Sequence, residues 1–247
     1  MSTNPETCAP FSHAFDREAN DYAARWDAHP LVRLFRARVV EAVARATPPP
    51  ARLLDLGCGI GTDAGLFAAL GYDVVAVDSS AEMVRRAVES GARAICREIG
   101  EAGGLGLFDV VFSNFGALNC VPTPEAAGLV KATLRSGGVF LAVTMAARCP
   151  AEQVALAMRG RWPFRRGPEA PVQGVSVPLV YPTADTWKNV LGQGFRCDRV
   201  AALGALVAPP DLGGKVGVGS TLDALFAGVP VLRTLGDHTL VVFRRAA

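Results

Sequence analysis

Residues 53–65 read LLDLGCGIGTDAG, and this stretch decides how the rest of the chain is interpreted. A short apolar run ends near an acid, and three glycines then follow at alternate positions, Gly57, Gly59 and Gly61. The apolar run predicts a buried strand, and the residues after the glycines predict a helix. A glycine-rich turn between a strand and a helix is typical of a loop that holds a nucleotide-like ligand.

The alternation of strand and helix continues along the chain. The apolar runs DVVAVD, FDVVFSNF and GVFLAVTM are strand candidates, and SAEMVRRAVES and PEAAGLVKATLRS are helix candidates between them. The strand candidates are continuous apolar runs, which predicts a sheet covered by helices on both faces. Residues 11–46 show helical spacing and end at the prolines of 47–50. We therefore predict an α/β, Rossmann-like doubly wound sheet preceded by a helical arm.

Beyond residue 146 this pattern changes. A stretch rich in proline and arginine is followed by another strand–helix pair, VSVPLVYP and TADTWKNVLGQG, and by a glycine-rich segment before the terminal strand HTLVVFRR. No internal repeat or domain linker interrupts the chain. We predict a single domain over 1–247, with an N-terminal helical arm at 11–46, a ligand-binding half at 51–145 and an insertion at 147–236.

Composition limits the class of protein. The chain has 247 residues, of which 50% are hydrophobic and 19% charged, which suffices for one globular core. A net charge of +2 gives no electrostatic case for a nucleic-acid or membrane partner. The start lacks a signal-peptide pattern, and no apolar run reaches the roughly 18 residues of a membrane span. The six cysteines form no C-x-x-C pair. We expect a soluble, cytoplasmic protein with reduced thiols and no metal site.

Two acids near the glycines indicate the ligand. The dinucleotide fingerprint is G-x-G-x-x-G, whereas here Thr62 stands in the place of its last glycine. Asp55, just before the glycines, would repel a pyrophosphate but suits a cationic amino group. Asp78 ends the second strand, where an acid accepts hydrogen bonds from both hydroxyls of a ribose. A ribose, a cationic amino acid-like end and no phosphate describe S-adenosylmethionine, and NAD fits poorly.

The stretch LLDLGCGIGTDAGLFAALGYDVVAVDSSAEMV, residues 53–84, resembles the cofactor-binding half of class I S-adenosylmethionine-dependent methyltransferases of the small-molecule type. FDVVFSNFGALN and TLRSGGVFLAV are similar to the family's fourth-strand and helix–Gly-Gly–strand motifs. LGDHTLVVFRR is similar to its reversed last strand. The resemblance covers 51–145 well and implies a seven-stranded sheet with the last strand antiparallel. It also implies S-adenosylhomocysteine as the product.

The resemblance further implies roles for individual residues. Met83 and Ile99 are equally well explained as core residues, and Tyr22 as an anchor of the arm. The implied contacts are Asp55 with the methionine amino group; Gly57, Cys58 and Gly59 with the methionine portion; Asp78 with the ribose; Ser79, Met83, Glu98 and Ile99 with the adenine; Asn114 and Phe115 beside the transferring methyl; and Tyr22 on an arm that closes over the cofactor.

Three histidines are candidate general bases, because histidine titrates near neutrality. His13 and His29 flank the segment around Tyr22, and we take them as the candidate catalytic residues. His238 precedes the last strand, and its place at the start of a strand predicts a position far from the ligand-binding loops. A hydroxyl acceptor would need such a base, whereas an amine or carbanion acceptor would not.

We predict an enzyme that transfers a methyl group from S-adenosylmethionine to an oxygen, nitrogen or carbon nucleophile of a small molecule. One alternative is an RNA methyltransferase, because residues 158–167, MRGRWPFRRG, interleave arginines with Trp162 and Phe164. The motif NFGA lacks the paired prolines typical of enzymes that methylate exocyclic amines of bases. Another alternative is a non-catalytic S-adenosylmethionine-binding subunit. An NAD-dependent oxidoreductase is disfavoured by Thr62 and Asp55.

Overall fold

A mixed seven-stranded sheet forms the centre of the protein. The computed structural model of the chain describes residues 12–161 and 166–247. The strands in these ranges are β1 (Arg52–Leu56), β2 (Asp73–Asp78), β3 (Ala94–Cys96), β4 (Phe108–Ser113), β5 (Leu134–Met145), β6 (Glu169–Val172), β7 (Val175–Pro178), β8 (Phe195–Leu203) and β9 (His238–Arg245). The central sheet has the order β3–β2–β1–β4–β5–β9–β8. Strands β1–β5 pair in parallel, and β9 is antiparallel to β5 and β8, which confirms the predicted fold.

Most helices begin or end close to the glycine, proline and serine residues that mark their ends in the sequence. The helices are α1 (Ser12–Tyr22), α2 (Pro30–Ala46), α3 (Thr62–Ala69), α4 (Ala81–Glu89), α5 (Thr123–Thr133), α6 (Pro150–Ala157), α7 (Ala184–Leu191) and α8 (Val218–Phe226). A π-helical turn, Ala23–Asp27, lies between α1 and α2. Helix α4 begins at Ser80, whose hydroxyl accepts a hydrogen bond from the N–H of Met83 at 3.1 Å. No helix in the described ranges is long and apolar enough to cross a membrane.

Two hydrophobic layers cover the two faces of the sheet. Helices α2 and α3 contribute Phe35 and Phe67 to one layer, and α7 contributes Trp187 to the other. Neighbouring residues of β1 divide between them, with Leu53 in the first layer and Leu54 in the second. Strands that are buried on both faces need apolar residues at every position, which explains the continuous apolar runs of the sequence.

The insertion departs from the expected pattern in two places. VSVPLVYP forms β7, which pairs only with β6 as a separate two-stranded hairpin outside the central sheet. The glycine-rich segment contains α8, a helix that the sequence did not predict. The carboxylate of Asp223 in α8 accepts hydrogen bonds from the backbone N–H groups of Gly204 and Ala205, at 3.1 and 2.6 Å. This tertiary anchor offsets the weak helix propensity of a glycine-rich segment.

Candidate functional site

The glycine loop follows β1 at the carboxyl edge of the parallel strands. Gly57, Gly59 and Gly61 have φ values of 74°, 54° and 83°, a region that favours glycine. A methyl group at Gly57 would also collide with Cβ of Ala117. The N–H of Gly57 donates to the carbonyl of Val77 at 2.8 Å, which ties the loop to β2. The loop therefore needs glycine for backbone conformation and for close packing.

Asp78 lies at the end of β2 beside this loop. Its two carboxylate oxygens accept hydrogen bonds from the N–H groups of Gly59 and Ser80, at 2.8 and 2.9 Å. Burial raises the pKa of Asp78, although these two hydrogen bonds act in the opposite direction. The carboxylate is thus held in place at the carboxyl edge, where the sequence predicts a ribose contact.

Asp55 is a buried acid in β1 that lacks a full set of partners. Only 2% of its surface is exposed, and its Oδ2 atom accepts no hydrogen bond. Burial raises its pKa well above the ordinary value, and the charges of Asp63 and Asp78 raise it further. A cationic amino group beside Oδ2 would supply the missing partner and offset the repulsion. The buried acceptor oxygen of Asp55 thus fits the cationic amino end of S-adenosylmethionine.

The arm is joined to the glycine loop by a buried ion-pair network. Arg36 in α2 donates to Asp63 of α3 at 2.9 Å and to Asp27 of the π-helical turn at 2.8 Å. The amide of Asn114 donates to the second oxygen of Asp63 at 3.1 Å. The hydroxyl of Thr62 donates to Asp27. These bonds connect the arm, the glycine loop and the end of β4.

Asp27, Arg36 and Asp63 were not among the site residues that we predicted from the sequence. Asp63 directly follows the last loop residues, and Arg36 lies among apolar residues of α2 that face the core. A charged residue on a buried helical face usually has a partner, which is the signal that could have indicated this pair.

Tyr22 lies where the arm covers the glycine loop. It lines a small cavity together with Arg36, Gly57, Gly59 and Phe115. Burial, followed by the charge of Asp27, raises the pKa of the Tyr22 phenol. The phenol therefore stays protonated and can act as a hydrogen-bond donor over the loop.

The residues predicted around the adenine lie on the β2–β3 side of the loop. Met83 is buried, and its Sδ atom lies 4.0 Å from where a Cβ at Gly59 would be. Ile99 is buried with its Cδ1 atom at 3.8 Å from the same position at Gly57. Ser79 follows β2 directly, and Glu98 precedes the 3₁₀ turn that contains Ile99. The structure brings these residues to the loop, and their contacts with adenine stay a prediction.

Asn114 and Phe115 follow β4 and lie between two cavities. Phe115 lines both the small cavity at the loop and a larger one beyond it. Its φ is 47°, a left-handed conformation that is rare for a bulky residue. The Asn114 side-chain oxygen accepts a hydrogen bond from the N–H of Phe115 at 2.9 Å, and the Arg36 guanidinium lies 5.1 Å from the ring centroid. Strained residues of this kind cluster at functional sites.

The larger cavity has a volume of about 700 Å³ and lies between the arm and the insertion. Aromatic residues from the arm, β4 and the insertion line it, and the hairpin of β6 and β7 contributes Glu169 and Pro171. The aromatic lining residues are Tyr22, Trp26, Phe35, Phe115 and Tyr181. A mainly apolar cavity of this volume with a few polar groups is typical of a small-molecule site.

Only one of the three candidate histidines in the sequence lines this cavity. His13 is exposed, and its Nδ1 atom lies 3.5 Å from Oδ2 of Asp16. His29 caps α2, because its Nδ1 atom accepts a hydrogen bond from the N–H of Leu31 at 3.2 Å. The expectation that His238 lies far from the loops is wrong. Because β9 runs antiparallel, its first residue pairs with Met145 at the carboxyl end of β5, and His238 lines the cavity.

A charged cluster lies beside His238. Oδ2 of Asp237 is 3.2 Å from Nδ1 of His238, although the two do not meet in hydrogen-bond geometry. Arg166 pairs with Oδ1 of Asp237 and, at 2.8 Å, with Glu152. Burial alone would raise the pKa of Asp237, but His238 and Arg166 hold it well below its usual range. Asp237 is therefore a carboxylate at neutral pH.

The other features considered in the sequence contribute little to the site. Burial, followed by the charge of Asp55, raises the pKa of the Cys58 thiol, so Cys58 stays protonated. In the parts of the chain that the structure describes, no group of three or more His, Cys, Asp or Glu side chains is arranged to hold a metal ion. Cys8, Trp162, Phe164 and Arg165 lie outside the described residues.

The family model and the two related sequences described next are all methyltransferases. A family model described as a methyltransferase domain matches residues 27–192. A ubiquinone biosynthesis O-methyltransferase of Xanthomonas axonopodis pv. citri is 35% identical over an alignment of 164 residues, which covers 60% of this chain and 68% of that protein. The enzyme of the same name from Xanthomonas campestris pv. campestris (strain B100) is 36% identical over 93 residues, or 34% and 38% of the two chains.

Solved structures share the fold at low sequence identity. N-methyltransferase NodS from Bradyrhizobium japonicum, in complex with S-adenosylhomocysteine, aligns with a TM-score of 0.60 at 14% identity, over 97% of this chain and 100% of that chain. The 1,6-didemethyltoxoflavin-N1-methyltransferase of Burkholderia thailandensis aligns with a TM-score of 0.56 at 16% identity, over 100% and 94%.

Proposed function

Because this chain belongs to the class I S-adenosylmethionine-dependent methyltransferases, we propose that it methylates a small molecule held in the 700 Å³ cavity. The observation that carries the proposal is that this cavity adjoins the glycine loop. Tyr22 and Phe115 line both the larger cavity and the small one at the loop. An acceptor in the first and a cofactor at the second would be neighbours across Phe115.

The residues at the loop fit S-adenosylmethionine. Asp55 would accept a hydrogen bond from its amino group, and Asp78 would accept the ribose hydroxyls. When bound, S-adenosylmethionine supplies a methyl carbon that is already activated by its attachment to a sulfonium. The phenol of Tyr22, protonated because its pKa is raised, would donate a hydrogen bond over the loop.

The main task of the protein in this reaction is to align the acceptor. Reactants that are well oriented gain roughly 7–11 kcal/mol from positioning alone. The ion pairs of Arg36 with Asp27 and Asp63 fix the arm against the loop. Asn114 and Phe115, at the end of β4, would then define the route between acceptor and methyl group. The nucleophile of the acceptor would be an oxygen, nitrogen or carbon atom.

Nucleic acid is not favoured as the acceptor. Of the arginines in the 158–167 stretch, Arg166 is paired internally with Glu152 and Asp237, and Arg159 donates to the carbonyl of Leu212 at 3.0 Å. Both guanidinium groups are therefore already paired within the protein, which disfavours their use as contacts for the phosphates of a nucleic acid. A non-catalytic binding subunit is a weaker alternative, because the large cavity would then have no use.

We also infer a cytoplasmic location. No disulfide joins the five cysteines in the described ranges, and thiols persist in reducing compartments.

The first test is calorimetric titration with S-adenosylhomocysteine, with NADH as the comparison ligand. We expect micromolar binding of S-adenosylhomocysteine, no comparable binding of NADH, and a loss of at least about tenfold in affinity in Asp78→Ala. Asp73→Ala, at the exposed start of the same strand, is the matched control and should bind like the wild type. Thermal melts of both variants separate lost binding from lost folding. A wild-type protein that prefers NADH would contradict the proposal.

A further inference from the structure

His238 and Asp237 lie side by side in the lining of the larger cavity. The ring of His238 stacks edge-on against Phe115, with 5.6 Å between centroids and 82° between planes. Phe115 in turn lies between the glycine loop and the larger cavity. His238 is therefore one aromatic ring away from the loop that the cofactor is proposed to occupy. Its side chain is 13% exposed, so it is largely shielded from bulk water.

The aspartate beside His238 is held firmly. Its backbone N–H donates to the carbonyl of Gly204 at 3.2 Å, and its carbonyl accepts from Ala146 at 3.1 Å. Arg166 donates to the same carbonyl at 2.9 Å and pairs with the carboxylate. The negative charge of this carboxylate, 3.2 Å from Nδ1, favours the tautomer that carries its proton on that atom, although the two groups are not aligned as a hydrogen bond. Nε2 is then the proton-accepting nitrogen of His238.

The other titratable residues that line the cavity are less suited to accept a proton. Burial raises the pKa of Tyr22 and raises that of Cys149 to about 12, so both stay protonated at neutral pH. Glu152 is already paired with Arg166 at 2.8 Å. Glu169 and Asp211 are exposed, and Glu169 accepts a hydrogen bond from the hydroxyl of Ser176. The hydroxyl of Tyr181 donates to the carbonyl of Gly167 at 2.9 Å.

We propose that His238 is the general base of the methyl transfer, with Asp237 as a positioning residue, and that the acceptor presents a phenolic hydroxyl. This inference rests on the proposed function. As the acceptor oxygen forms its bond to the methyl carbon, the proton of its O–H group passes to Nε2 of His238. The carbon–sulfur bond breaks, and its electron pair stays on sulfur. The proton then leaves His238 to solvent when the methyl ether is released.

The lining of the cavity supports a phenol rather than an aliphatic alcohol. Trp26 and Phe35 of the arm and Tyr181 of the insertion line the cavity from two sides of the chain and offer aromatic surface to a planar ring. A neutral amine attacks with its lone pair and needs no base before the transfer, whereas a hydroxyl must lose its proton, which is the role that the histidine–aspartate pair can fill.

The test compares two phenols that differ in acidity. Catechol is un-ionised at neutral pH and needs a base, whereas 4-nitrocatechol is far more acidic and largely ionised in a mildly alkaline assay. We expect His238→Gln to lower kcat on catechol by about 10²- to 10⁴-fold. On 4-nitrocatechol the loss should be less than about tenfold. Arg45→Gln, on the exposed surface of α2 and outside both cavities, is the control and should change neither rate.

A spectroscopic measurement gives a readout that needs no turnover. 4-Nitrocatechol is titrated into the complex with S-adenosylhomocysteine at a pH below its own pKa. Proton transfer to His238 would shift the absorbance of the bound probe to that of the phenolate in the wild type, and the shift should be lost in His238→Gln. Calorimetry of S-adenosylhomocysteine binding to the same variant should be unchanged, which keeps the proposed function and this inference separately testable.

Several results would overturn the inference. An equal loss of rate on catechol and 4-nitrocatechol would make His238 structural, and no loss on either would exclude it as the base. Failure of the wild type to bind or methylate any phenol, with S-adenosylhomocysteine still binding, would refute the acceptor class and leave the methyltransferase proposal intact. Loss of S-adenosylhomocysteine binding in the wild type would instead refute the proposed function.

Discussion

Asp55 lowers the stability of the free protein at the position where we propose that it binds the cofactor. It is buried in β1 with an unsatisfied oxygen, and both Asp63 and Asp78 raise its pKa. An unsatisfied buried polar group costs roughly 1–3 kcal/mol. Binding of a cationic ligand group would offset this cost, so the protein without its ligand is less stable by about that amount.

We therefore expect Asp55→Asn to be more stable than the wild type and to bind S-adenosylhomocysteine at least about tenfold more weakly. Near pH 4, around the unfolded pKa of an aspartate, the wild-type carboxyl is largely neutral and the two proteins should be similar. As pH rises from there toward the raised folded pKa, the unfolded chain loses its proton before the folded protein does, so the wild type loses stability and the difference should grow until it levels off above the folded pKa. Melting curves across that range measure it. An equal or falling difference would contradict the assignment.

Gly57 and Gly65 provide a second comparison at the residue scale. Gly57 has positive φ and no room for a methyl group, whereas Gly65 lies in helix α3 with open space around it. We expect Gly57→Ala to lower the free energy of unfolding by about 2–4 kcal/mol, from strain and overpacking. Gly65→Ala should raise it by about 0.5–1 kcal/mol. Urea unfolding of both variants checks the two signs, and a neutral Gly57→Ala would refute the steric argument.

At the scale of elements, α2 is more than a cover for the sheet. Its buried Arg36 joins the π-helical turn to α3, so the arm and the glycine loop share one ion-pair network. Removing one partner of such a pair leaves an uncompensated charge, because the other partner stays buried.

We expect Arg36→Met to lower the free energy of unfolding by about 3–5 kcal/mol and to increase proteolysis of the arm. The control is Arg45→Met in the same helix. Arg45 pairs with Glu41 on the exposed surface, and its loss should cost no more than about 0.5 kcal/mol. Urea denaturation and timed proteolysis measure both effects. Similar values for the two variants would show that the buried network does not hold the arm.

For the whole molecule, the arm and the insertion meet across the large cavity. The amide of Gln173, in the turn between β6 and β7, donates to buried Glu18 of α1 at 2.5 Å. Glu18 also accepts a hydrogen bond from the indole of Trp26, which lines the cavity. Two segments far apart in the sequence thus enclose the proposed acceptor site together.

We expect Gln173→Gly to raise the KM for the acceptor by up to about tenfold, because the hairpin loses its bond to the arm while glycine keeps the positive φ of the turn. Affinity for S-adenosylhomocysteine should stay within about twofold. Gln193→Gly, in the exposed turn before β8, is the control. Steady-state kinetics with calorimetry separates the two affinities, and a change in cofactor affinity alone would contradict this role.

The parallel strands, their ends and the glycine loop can be predicted from short stretches of the sequence. The apolar runs predict the parallel strands, the glycines and prolines mark their ends, and Asp55, Asp78 and the G-x-G-x-G spacing indicate the cofactor. These signals are readable because each depends on neighbouring residues: a strand buried on both faces must be apolar throughout, and a loop with positive φ must contain glycine.

Only the tertiary structure decided which residues enclose the larger cavity. The direction of β9 carries His238 to the end of β5, and the pairing of Arg36 with Asp63 depends on how α2 packs against α3. The β6–β7 hairpin reaches the arm through a contact between residues 18 and 173. Such contacts join positions that are distant in the chain, so no local sequence pattern predicts them, and the larger cavity lies where they meet.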